Sequence, residues 1–138
     1  MATISLPSLV VENVNATTVK LTVNYTLTPN AVEKLAGTVF TENMRLVGDD
    51  VGDATDIVIT NFPAQSFAVS NATPTVLRTR VRNVLKSSMN EDPDFAVNGG
   101  ELSDEAFALI TLTYAASPPI PSAIPSPAST NIVSGAWK

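Results

Sequence analysis

The side chains that could do chemistry in this chain are carboxylates, arginines and hydroxyls, because it contains neither cysteine nor histidine. Zinc-finger sites, thiol nucleophiles, thioredoxin-type redox centres, haem ligation by histidine and Ser-His-Asp triads each need one or both of those residues, and all are excluded. Acid–base work by paired carboxylates needs two groups facing one substrate across a cleft. Asp104 and Glu105 are adjacent in an expected strand, so they point to opposite faces and do not make such a pair. Neither a Gly-x-Ser-x-Gly elbow nor a Ser-x-x-Lys motif occurs. With one Trp, two Tyr and five Phe, most at core-facing positions, little is left to build a sugar-stacking platform. No enzymatic activity and no cofactor are expected.

Two acidic loops offer hard oxygen ligands of the kind calcium takes. The first holds Asp49, Asp50, Asp53 and Asp56, the weak calcium candidates; the second runs from Asn90 to Gly100 through Glu91, Asp92 and Asp94. Neither follows the EF-hand spacing, and solvated turns whose Asp and Asn side chains bond their own backbone account for both. Arg78, Arg80, Arg82 and Lys86 gather half of the eight basic residues within nine positions. Such a stripe could grip phosphates, but the chain has a net charge of −5 and no aromatic residue stands among the arginines. Pairing with the acidic loops of the same molecule or a neighbour is the expectation, and nucleic acid is not an expected partner. The sequons at Asn15, Asn24 and Asn71 fit chance in a Thr- and Asn-rich chain.

The elements that must position these groups are strands. From Thr18 to Thr28, Val19, Leu21, Val23, Tyr25 and Leu27 alternate with polar residues, the period of a strand with one buried face. A second alternation places Phe40, Met44 and Leu46 on one face around Glu42, ending at Gly48, with a helical turn or two expected between Pro29 and Ala36. Shorter strands are expected at 56–60 and 65–70, and the stretch from Glu105 to Ala115 is apolar on both faces, as in a sandwich core. Residues 74–89 fit two periods. As a helix, Leu77, Val81, Val84, Leu85 and Met89 make a stripe behind an N-cap at Thr73; as a strand, Leu77, Thr79, Val81, Asn83 and Leu85 face inward with the basic residues outward. The surrounding β elements favour the strand.

From Ser117 the composition changes: five of the ten prolines lie between 117 and 127, with Ile120 and Ile124 among them and Ile132 and Trp137 beyond. Stiff extended chain bearing spaced apolar side chains can dock on a neighbour at low ordering cost, or pack back on its own domain. The six residues from Pro119 to Ile124 resemble the C-terminal segment of the coat proteins of some RNA phages, but 105–115 reads as a strand where that family has helix, and no membership is inferred.

A chain of 138 residues is one domain's length, and 44% hydrophobic with 15% charged residues is a globular composition. The expected fold is all-β, an antiparallel, immunoglobulin-like sandwich over 1–116 with an extended arm over 117–138. No signal peptide and no membrane span are seen, so cytoplasmic synthesis is expected, followed by incorporation into an assembled particle. The expected function is a non-enzymatic structural subunit that assembles with other copies of itself, the arm residues Ile120, Ile124, Ile132 and Trp137 contacting a neighbour. The alternative is a monomeric recognition module that binds protein or glycan through its acidic loops.

Overall fold

The computed structural model describes residues 2–48, 57–72, 74–89, 104–114 and 127–135. Strands β1 (Thr3–Asn13) and β2 (Thr18–Thr28) lead into helix α1 (Ala31–Ala36), then β3 (Val39–Gly48), β4 (Ile57–Asn61), β5 (Gln65–Ala68) and β6 (Val76–Leu85). The short turn α2 (Lys86–Met89), β7 (Asp104–Tyr114), β8 (Ala128–Ser129) and β9 (Val133–Gly135) follow. They form two antiparallel sheets, an all-β sandwich. The first sheet has the order β1-β2-β6. In the second, β3 and β7 are central, β4 and β5 follow one another along the free side of β3, and β8 and β9 do the same along β7.

The core lies between the sheets and follows the alternation in the sequence. On β2, Val19, Leu21, Val23, Tyr25 and Leu27 are all at most 1% exposed; on β7, Ala106, Ala108, Ile110 and Leu112 are fully buried. Phe40, Met44 and Leu46 of β3 close the layer. The outward residues Phe107 and Leu109 of β7 remain half-buried, so this strand's second face is covered only in part. Helix α1 carries the chain from one sheet to the other and is fixed at both ends. Asn30 and Glu33 cap it reciprocally, each side chain accepting the other's backbone N–H at 2.8 Å, and Gly37 ends it at φ +63°, where a side chain would be strained.

The 74–89 ambiguity resolves into both forms: a strand to Leu85, then one helical turn that buries Met89. The facing of this strand is the reverse of the expected one. Leu77 is 73% exposed and Val81 and Leu85 56% each, while Arg80 is buried and Arg78 and Arg82 are partly buried. The reason is Glu42, described below. Two further differences concern the ends. Residues 3–13 form a full strand despite Pro7, which is absorbed by a register shift between Ser5 and Ser8 with Leu6 in the left-handed region at φ 51°.

One of the two expected fates is seen in the described part of the C-terminal segment. Its described part, 127–135, packs back on its own domain as β8 and β9 on β7. Thr130 exchanges bonds with the backbone of Ala108, its N–H donating at 3.0 Å and its hydroxyl accepting at 2.9 Å. The Asn131 side chain does the same with the backbone of Leu9 on β1, accepting at 2.9 Å and donating at 3.2 Å. The described part of 117–138 thus adds two short strands to the second sheet.

Candidate functional site

The only charged cluster in the described interior is built on Glu42, the one acid on the inward face of β3. Its neighbours at that face are apolar, so the carboxylate is held away from water and must find its counter-charges inside the sandwich. β6 supplies them from the opposite sheet. Arg80 donates to Oε1 of Glu42, and Arg78 donates to Oε2 at 3.2 Å. The Tyr25 hydroxyl, at the core face of β2, donates to Oε2 as well. A second donor of each arginine is taken up nearby: Arg80 Nη2 meets the Pro63 carbonyl at 2.6 Å and Arg78 Nη2 meets Gln65 Oε1 at 2.8 Å. Each guanidinium also lies against an aromatic ring, Arg78 at 4.4 Å from the Phe67 centroid and Arg80 at 6.0 Å from that of Phe62. This is why the arginines turn inward: the outward face of β6 would give them solvent, but Glu42 would then be a buried charge without a partner.

Burial alone would raise the pKa of Glu42, yet hydrogen bonds from Tyr25, Arg78 and Arg80 and the charge of Arg78 outweigh it and hold the carboxyl below its ordinary value. The Tyr25 phenol is pushed well up, first by burial and then by its bond to Glu42 and that group's negative charge. Burial would lower Arg78, but its bond to Glu42 and the attraction of that carboxylate raise it. The cluster is thus ionised as a glutamate with two guanidiniums and a neutral phenol, an arrangement for holding two sheets in register and not for exchanging protons near neutrality.

Replacing Tyr25 with Phe should cost about 1.5–3 kcal/mol, the range for a hydrogen bond to a charged group, read as a lower urea midpoint. The raised phenol adds stability that is complete below its unfolded pKa of 10.0 and is lost as pH rises beyond it. The gap between wild type and Tyr25→Phe should therefore narrow above pH 10. A gap that stays constant there would mean that the hydroxyl titrates freely in the folded protein.

Turning the arginines inward leaves a different surface outside. The outer face of β6 reads Leu77, Thr79, Val81, Asn83, Leu85, with no charged group. Through the register of the sheet, Val81 continues across Thr22 to the exposed Val10, and Asn83 across Lys20 to Glu12, which form a surface ion pair at 3.7 Å. On the other sheet a shallow recess of about 560 Å³ is lined by Asn43, Arg45, Asn61, Leu109 and Thr111; it offers one cation and amides.

Of the residues singled out in the sequence, Asp49, Asp50, Asp53 and Asp56 lie outside the described residues, as do Ile120, Ile124, Trp137 and the loop 90–100. Among the described residues no group of three or more Asp and Glu side chains converges as a metal site would require, and no helix is long and apolar enough to cross a membrane. Ile132 is described: it sits between β8 and β9 and is 56% exposed. Arg78 and Arg80 pair within their own molecule with Glu42, a strand residue where acidic loops were the expected partners, and Arg82 donates to the Thr60 hydroxyl; the signal was Glu42 on an otherwise apolar face. Neither the protein-family models nor the curated proteins compared with this chain give a match.

Proposed function

We propose that this protein is a non-enzymatic structural subunit that assembles with copies of itself. The observation that carries the reading is the outward face of β6, where Leu77, Val81 and Leu85 stand exposed at alternate turns of the pleat while the charges of the same strand are spent inside. Apolar side chains aligned on one strand face are what association surfaces are made of. The C-terminal segment adds to it. Ile132 is held at the surface by the strands on either side, and Ile120, Ile124 and Trp137 flank the docked stretch in sequence; these four are the proposed contacts of the arm with a neighbouring subunit.

Sedimentation over a range of concentrations tests the reading: the mass should rise above the 14.5 kDa of one chain. A strict monomer throughout would overturn it in favour of a recognition module. Trp137 is the sole tryptophan, so its emission reports on the arm directly. Emission that shifts to the red on dilution means burial between chains. Trp137→Ala should then weaken association by about 2–4 kcal/mol if the ring is a hot spot, without moving the monomer's urea midpoint.

A further inference from the structure

We propose that two copies join through β6, edge to edge and antiparallel, about a two-fold axis at Val81. This rests on the self-assembly reading and names the contact. The two edge strands of the first sheet are treated differently by the sequence. β1 carries Pro7, a register shift and a left-handed Leu6, and its backbone at Leu9 is occupied by the Asn131 side chain, all devices that keep another strand from adding. β6 has none of these. Its ten residues pair with β2 in one unbroken register, without proline or bulge, and among the described residues no strand pairs with its other side. A regular strand of that kind presents a row of backbone donors and acceptors to whatever extended chain comes alongside.

The residues on β6 specify the occupant. Read outward, the face is Leu77, Thr79, Val81, Asn83, Leu85, nearly the same in both directions. Antiparallel pairing centred on Val81 sets Val81 against Val81, Leu77 against Leu85 and Thr79 against Asn83, so that every pair on the outward face is apolar with apolar or polar with polar. That self-complementarity is the requirement of an isologous contact between identical chains. Inward, the same register brings Arg78 opposite Val84 and, twice, Arg82 opposite Arg80 of the second copy, a like-charge pairing that weakens the contact. The charge of Arg80 is already held by Glu42, and Arg82 donates to Thr60 Oγ1 at 3.1 Å.

Area sets the strength. Ten residues at about 3.4 Å each and a sheet roughly 10 Å thick give an edge of some 340 Å² per copy, under half of the approximately 800 Å² per partner of a stable interface. The contact is therefore weak and concentration-dependent, suited to one joint of a larger assembly and not to a permanent dimer.

Single cysteines test the register, because the chain has none of its own. Facing strands place opposed Cα atoms about 4.5–5.5 Å apart, within disulfide range. Under mild oxidation Val81→Cys should form a covalent dimer about tenfold faster than Thr79→Cys or Val10→Cys. Thr79→Cys mixed with Asn83→Cys should give the mixed dimer as fast as Val81→Cys gives its own. Val81→Lys, exposed and so tolerated by the fold, should shift association to at least about tenfold higher concentration through like charges opposed at the axis, with an unchanged circular dichroism spectrum. If Val81→Cys dimerises no faster than Val10→Cys while the wild type still sediments as an assembly, this contact is wrong and the self-assembly reading stands. A wild type that is monomeric at every concentration overturns both.

Discussion

Glu42→Gln should destabilise the protein by about 3–5 kcal/mol, the range for removing one partner of a buried ion pair. The size follows from what the substitution leaves behind. Arg80 is 7% and Arg78 19% exposed at the side chain, and both lose the anion that compensates their removal from water. Urea denaturation at neutral pH measures the loss. The pH profile identifies its origin. A carboxyl whose folded pKa lies below its ordinary 4.5 stabilises the fold at higher pH, and that stability is lost as the pH falls through the folded value. Wild type and Glu42→Gln should converge in acid and differ most near neutrality. A second variant separates charge from shape: Glu42→Leu combined with Arg80→Met should recover part of the loss, because apolar replacement of a buried pair is often neutral and only Arg78, the more exposed of the two arginines, is left without its anion. If the double variant is as unstable as Glu42→Gln, the cluster acts through packing and not through its charges.

Removing residues 117–138 should cost roughly 3–5 kcal/mol, combining the lost burial of Val133 with the backbone bonds that Thr130 and Asn131 provide. Ala108 on β7 and Leu9 on β1 would each lose a donor and an acceptor. Val133, packed against the core, would leave it, and β7 would change from a central strand into an edge. The measurement is the urea midpoint of the shortened chain against full length, at a concentration where both are monomeric. A midpoint unchanged by truncation would show that β8 and β9 rest on the sandwich without supporting it.

The comparison of pattern with structure turns on where charge sits. β2, β3 and β7 were legible because their buried residues alternate with polar ones or with half-covered ones, and burial acts on side chains one at a time. β6 alternates just as regularly, but the rule that long cations face water assigns its sides the wrong way round. What reverses the assignment is a residue on another strand 38 positions away: Arg80 goes where Glu42 needs it. Glu42 stood visibly among Phe40, Met44 and Leu46, and a lone acid on an apolar face is the local sign that a base must come to meet it. β1 was hidden by Pro7, which interrupts the period that identifies strands. β8 and β9 were hidden by length. Two or three residues carry no periodicity, and they are strands only because β7 lies beside them.

The bond between Asn131 and Leu9 also has a consequence in time. The two residues are 122 positions apart, so during synthesis β1 must wait for more than a hundred further residues before Asn131 can bond its backbone at Leu9. Until then β1 and the flank of β7 stand open, in the interval when nascent chains are most exposed to unwanted pairing. Pro7 and the irregular backbone at Leu6 protect β1 from within its own sequence, a safeguard that does not wait for Asn131. Closure by Thr130 and Asn131 can come only after these residues are made, and its rate can be followed by the loss of amide exchange at Leu9 and Ala108.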